Sequence, residues 1–185
     1  MRGRDQPVAG IADERGACIG HQRQRLPLAH AVHQCVGQRL LELPAGLLDI
    51  HAEDELDCAK RELQEEAGLA AEEWGVLVDL VTSPGFAEEA VRVFIARGLR
   101  EVDRPEAEDE EADMRLSWVR IDDATGKALA GKITNSIAVS GILAAAHLFA
   151  SGASPRSVDE PFRFRPASLA NRRSAQGIVP DMKRI

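Results

Sequence analysis

Apolar and polar positions change their period along the chain, and the changes divide it into three unequal parts. Residues 38–149 carry the pattern of a packed domain. "QRLLELPAGL" (38–47) opens as a short apolar strand and ends in a Pro-Ala-Gly turn. "AEDELDCAKRELQEEAGL" (52–69) reads as a helix, with acidic residues in its first turn and Gly68 as its C-terminal stop. "WGVLVDLVT" predicts a strand, "SPGFAEEA" a turn-rich loop, and "VRVFIARGL" a strand alternating at Val91, Val93 and Ile95. The acidic loop "EVDRPEAEDEEAD" leads to a further strand, "MRLSWVRI", and a long apolar helix around "NSIAVSGILAAAHLFA" closes the domain. Residues 150–185 read as a mobile or surface-draped tail.

Residues 1–37 follow neither period. They hold scattered Arg, Gln, His and Ala, no aromatic residue, and no strand of convincing length before "QRLLELPAGL" begins abruptly. An out-of-frame reading or a misplaced start in a GC-rich gene would give this composition, and a divergent or disordered arm is the alternative. Either way the segment is expected to show low order. Its absence from the sheet would leave an exposed edge and an aggregation-prone or weakly active chain.

Composition narrows the class. The 185 residues suffice for one domain with a real core, at 44% hydrophobic and 29% charged. A net charge of -7 argues against nucleic-acid and anionic-membrane partners. No apolar run approaches a transmembrane length, and "MRGRDQPVAG" lacks a signal-peptide core. Cys18, Cys35 and Cys58 form no CxxC pair, so a reducing, cytoplasmic setting is expected.

The candidate chemistry lies in "RELQEEAGL" (61–69). With residues placed about 100° apart, Leu56, Ala59, Leu63 and Ala67 form the apolar stripe. Glu62 and Glu66 flank it one turn apart, while Arg61 and Glu65 pair on the far side. Like charges at this spacing oppose each other, and the negative end of the helix dipole prefers cations. Glu62 and Glu66 therefore read as uncompensated carboxylates at a core edge, suited to a hard divalent cation. A solvated acidic helix end is the alternative from spacing alone. Cys58 reads as facing away from the stripe, Trp118 and Phe94 as core, and His51 and His147 as surface and core-edge residues.

Read with its upstream context, "GLLDIHAEDELDCAKRELQEEAGL" (46–69) resembles the Nudix box, G-x5-E-x7-R-E-U-x-E-E-x-G-U with U a bulky apolar residue. Glu53, Arg61, Glu62, Leu63, Glu65, Glu66, Gly68 and Leu69 match in spacing, whereas six residues rather than five stand between Gly46 and Glu53. "LELPAGLLD" before the box, and Pro84 sixteen residues after Gly68 in "SPGF", resemble the ADP-ribose pyrophosphatase branch.

The resemblance implies a Nudix-type α/β/α sandwich with a mixed sheet, its N-terminal strands missing or garbled here. It implies Mg2+-dependent hydrolysis of ADP-ribose to AMP and ribose 5-phosphate, with Mn2+ as a substitute. Glu62 and Glu66 would be the main metal ligands, Glu65 would add to the shell, the Ala45 carbonyl would join them, and Arg61 would orient the carboxylates. Glu111 or Glu110 would supply the general base. Pro84, Gly85 and Phe86 are the candidate substrate-binding residues, with Phe86 stacking on adenine or packing in the core. The family also implies a homodimer built through its N-terminal sheet. Rival readings are hydrolysis of a nucleotide sugar or NADH, and a non-catalytic ADP-ribose-binding module.

Overall fold

The structure is a computed structural model, and it describes residues 14–21, 25–33, 37–48, 53–85, 87–105 and 115–165. Strand β1 (Glu14–His21) is followed by β2 (Arg25–His33), β3 (Gln38–Glu42) and β4 (Ala45–Leu47). Helix α1 (Glu55–Ala67) comes next, then β5 (Leu69–Ala70), β6 (Glu73–Val81), β7 (Ala90–Arg97), β8 (Arg100–Glu101) and β9 (Arg115–Arg120). Helices α2 (Ile121–Leu129) and α3 (Ser136–Ser151) complete the described elements.

A four-stranded sheet has the order β4-β1-β7-β6, with β1 parallel to β7 and the other pairs antiparallel. A three-stranded antiparallel sheet has the order β3-β2-β9, and β5 pairs with β8. Side chains alternate across a strand, and β7 shows how this separates two layers. Val91 and Val93 join a core with Leu26, Leu28, Ile121 and the α3 residues Ile137, Ala138 and Ile142. Phe94 and Ala96 point the other way, into a core with Ala59, Leu63 and Ala67 of α1. The sheet thus lies between α1 on one face and α2 with α3 on the other, an α/β/α sandwich with a mixed sheet. β7 is buried along nearly its whole length, not on the alternating face alone that its sequence suggests.

Four expectations are corrected. The segment before residue 38 contains two long strands, and both are internal. β1 lies between β4 and β7, and β2 between β3 and β9. Among the described residues, no exposed edge arises where these strands were expected to be missing. Pairing on both sides supplies the hydrogen bonds that hold a strand of low intrinsic propensity, because strand preference depends heavily on context. The Ala-Gly turn after Pro44 is the short strand β4, drawn into pairing with β1 at Ala17↔Ala45 and Gly16↔Gly46. Cys58 is fully buried, and Trp118 is 37% exposed, so neither sits where its pattern suggests. Helix α2 lies in a stretch the apolar pattern left unassigned, where only Ile121 and Ala124 are buried.

Beyond α3, part of the segment that reads as a mobile or surface-draped tail lies on the sheet. Arg156 and Val76 exchange backbone hydrogen bonds of 2.9 and 3.0 Å. Among the described residues, no helix is long and apolar enough to cross a membrane.

Candidate active site

Helix α1 delivers the acidic side chains, and its ends are defined by local chemistry. Asp54 caps the N-terminus, its side chain accepting from the Asp57 N–H at 2.8 Å. Gly68 ends the helix in the left-handed conformation, φ 64°, which glycine adopts without a Cβ penalty. The last turn carries no basic residue of its own. Arg104 supplies one from the chain beyond β8, donating from Nε to the Glu65 carbonyl at 3.0 Å. A cation there opposes the negative end of the helix dipole. Gln64 and the Asp103 carbonyl, 3.1 Å apart, and the Val102 N–H bonded to the Gly68 carbonyl fix the same segment to the helix. Burial of Leu63 against Phe94 and Val76 holds α1 on the sheet and contributes about 1.5–3 kcal/mol.

Arg61 is the centre of the acidic group. Its Nε donates to Glu53 Oε1 at 2.8 Å and Nη2 to Glu53 Oε2 at 3.1 Å. Nη1 bonds Glu65 Oε2 at 2.9 Å and also Glu62 Oε1. Nη2 further donates to the Leu47 carbonyl at 3.2 Å. The hydrogen bond that Arg61 donates to Glu53, against the opposing effect of burial and with the help of Glu62 and Glu65, raises the Arg61 pKa far above its ordinary value. The guanidinium is a permanent charge.

Glu62 is therefore compensated within the chain, which corrects its reading as a carboxylate without a partner. Rotation about the long arginine side chain lets one guanidinium reach residues i+1 and i+4 together, which helical-wheel spacing does not show. Glu66 also has a protein partner: its Oε2 accepts from the Ala45 N–H at 3.0 Å.

Strand β4 faces this cluster at very short range. A Cβ added to Gly46 would stand 1.9 Å from both Cδ and Oε1 of Glu62. Only glycine admits the carboxylate there. Buried Cys58 closes the floor, with Sγ 3.4 Å from the Leu47 carbonyl. Ala45, Arg61, Glu62, Glu65 and Glu66 are thus brought together. Pro84 and Gly85 lie on the loop between β6 and β7, where they line a wide-open depression of about 440 Å³ that none of those five residues lines. Phe86, Glu110, Glu111 and His51 lie outside the described residues.

No group of three or more His, Cys, Asp or Glu stands in metal-holding geometry among the described residues. The donor set still fits a hard cation in its chemistry. Glu62, Glu65 and Glu66 offer carboxylate oxygens only, next to a backbone strand, with no soft ligand required.

Several features were missed from the sequence. Glu53 matches the box spacing, yet its part as the anchor of Arg61 depends on a contact across eight residues. A second network joins Arg92, 2% exposed, to Asp79 and Arg156. Its signal was available: Asp79 in "VLVDLV" and Arg92 in "VRVFIAR" interrupt two apolar strands, and they are cross-strand partners.

Comparison with known proteins agrees with this geometry. The profile of the NUDIX domain matches residues 3–137. An ADP-ribose pyrophosphatase of Mycobacterium tuberculosis (strain ATCC 25618 / H37Rv) is 49% identical over 149 residues, 80% of this chain and 72% of the relative. An ADP-ribose pyrophosphatase of Bacillus subtilis (strain 168) is 34% identical over 117 residues, 63% of this chain and 58% of the relative. Among solved structures, an ADP compounds hydrolase superposes with a TM-score of 0.67 at 19% identity, covering 77% of this chain and 76% of that one. The chain belongs to the Nudix hydrolase family.

Proposed function

We propose that this chain hydrolyses the diphosphate of ADP-ribose, giving AMP and ribose 5-phosphate. The observation that carries the reading is the carboxylate cluster gathered by Arg61 against β4, within a chain 49% identical over most of its length to an ADP-ribose pyrophosphatase. Water adds its oxygen to one phosphorus, the P–O–P bond breaks, and the bridging oxygen leaves with the other phosphate.

Glu62, Glu65 and Glu66, with the Ala45 carbonyl, would hold a divalent cation that neutralises diphosphate charge and favours an activated water. Magnesium is the cation of this reading because the donors are all oxygen, with manganese as its substitute. Arg61 keeps three carboxylates in one orientation, so little reorganisation is needed when charge develops. The Ala45 N–H fixes one oxygen of Glu66, and Gly46 leaves room for Glu62. Glu111 is the proposed base for the water proton, with Glu110 as its alternative. Action in the cytoplasm and a homodimeric assembly belong to the same reading.

The test is a panel of ADP-ribose, NADH and nucleotide sugars, with kcat/KM and product identity measured for each. ADP-ribose should have the highest kcat/KM. A higher value for another nucleoside diphosphate derivative would replace the substrate, and binding of ADP-ribose without turnover would make the chain a binding module.

A further inference from the structure

The segment after α3 bridges to β6, the last strand of the four-stranded sheet, and ends at the start of α1. Pro155 lies against Gly75, where an added Cβ would meet Pro155 Cγ at 2.6 Å. Arg156 forms its backbone bridge to Val76 and donates from Nη2 to Asp79 Oδ2 at 3.0 Å. Val158 packs against the core beneath α1. Buried Arg92 donates twice to Asp79, at 2.8 and 3.1 Å, and from Nη1 to the Glu160 carbonyl at 2.6 Å. Its guanidinium carbon lies 4.7 Å from the centroid of the Phe162 ring. A buried guanidinium is costly unless its donors are satisfied. Here they hold Asp79, the partner of Arg156, and the Glu160 main chain, so the charge fixes the course of the segment.

The segment delivers Arg165 to the box. Arg165 Nη1 lies 3.1 Å from Glu55 Oε1, and Nη2 donates to the Glu53 carbonyl at 3.4 Å, across 112 positions. Glu53 immediately precedes the helix cap Asp54, and its carboxylate takes two hydrogen bonds from Arg61. One guanidinium thus holds the Glu53 main chain, and a second holds its side chain. The Glu53 side chain is 9% exposed, whereas that of Arg165 is 43% exposed. An ion pair as open as Arg165–Glu55 contributes little to the fold. Its placement matters for the site, because Glu53 sets Arg61, and Arg61 gathers Glu62 and Glu65.

We propose that Arg165 is a positioning residue of the active site: by fixing the Glu53 main chain, it keeps Arg61 aligned with the carboxylates that take the cation. The inference rests on the reading of the cluster as a cation-dependent diphosphate hydrolase, and its first test needs neither cation nor turnover.

Nitrogen-15 NMR of metal-free protein reads the alignment through the Arg61 Nε–H, which is bonded to Glu53. In Arg165→Ala this proton should exchange with solvent about fivefold faster or more. Arg163→Ala, a change at an exposed neighbour, should leave the exchange as it is. Arg165→Lys should recover part of the protection, because an ammonium still donates at this position. Manganese binding, followed without substrate by the electron spin resonance of the free ion, should weaken about three- to tenfold in Arg165→Ala. The same substitution made in Glu53→Gln should add no further loss, since the effect passes through Glu53. The urea midpoint of Arg165→Ala should stay near that of the unaltered protein. Unchanged exchange at Arg61, or a further full loss of manganese affinity in Glu53→Gln, would overturn the inference. So would a fall in the urea midpoint large enough to account for the faster exchange. If the unaltered protein binds no manganese or does not hydrolyse ADP-ribose, the functional reading fails, and exchange at Arg61 still decides the role of Arg165.

Discussion

Arg61 holds Glu53 in a two-bond grip, Nε to Oε1 at 2.8 Å and Nη2 to Oε2 at 3.1 Å, and the same guanidinium bonds Glu62 and Glu65. One cation thus ties Glu53, ahead of α1, to the later turns of the helix. The three carboxylates are largely shielded from solvent, so removal of that cation leaves several like charges without their common partner.

Arg61→Ala should lower stability by about 3 kcal/mol, as expected for a broken buried pair, and should remove most turnover. Arg61→Lys should rescue little, because an ammonium cannot make the two-pronged contact to Glu53. Urea unfolding of metal-free protein, beside initial rates, checks both. Unfolding midpoints unchanged in Arg61→Ala would show that the network adds nothing to the fold.

Gly46→Ala tests the fit between β4 and the helix. The new methyl would coincide with the Glu62 carboxylate at 1.9 Å, so the side chain must leave its place or the strand must shift. Turnover should fall at least tenfold, while far-ultraviolet circular dichroism remains that of the unaltered protein. Normal kinetics would mean that Glu62 need not occupy this position.

The Asp79 network carries a pH signature. Burial opposes ionisation of Asp79, yet hydrogen bonds and charge from Arg92 and Arg156 prevail and hold its pKa below the ordinary 3.8. A depressed folded-state pKa adds stability above the unfolded value, and that stability is lost as pH falls through the folded one. Asp79→Asn should therefore narrow its stability gap from the unaltered protein below pH 3.8, as seen in melting temperatures across an acid series. A gap that stays constant would assign the effect to packing.

Much of the site was legible because it is local in sequence. The helix, its capping glycine and the spacing of Arg61, Glu62, Glu65 and Glu66 all lie within one periodic segment, where geometry follows from 3.6 residues per turn. Beyond the Arg61–Glu65 pair, the partners of those residues were not legible in the spacing. Ala45 meets Glu66 across 21 positions, and Arg92 meets the Glu160 carbonyl across 68. The clearest failure was residues 14–21 and 25–33, where composition gave no strand and neighbouring strands imposed two.

Amide exchange tests that last point. β1 pairs with β4 on one side and along its full length with β7 on the other, so amides of residues 14–21 should exchange as slowly as those of β7. Exchange at the rate of an unfolded peptide would restore the expectation of low order in this segment.

The central claim is that the carboxylates around Arg61 form a cation-dependent diphosphate hydrolase. The most direct measurement is AMP release from ADP-ribose during a magnesium titration, for the unaltered protein and for Glu62→Gln and Glu66→Gln. The account predicts release that requires magnesium and falls by about 10²-fold or more in each variant, with both variants still folded. Near-normal release by either variant at low magnesium would contradict it.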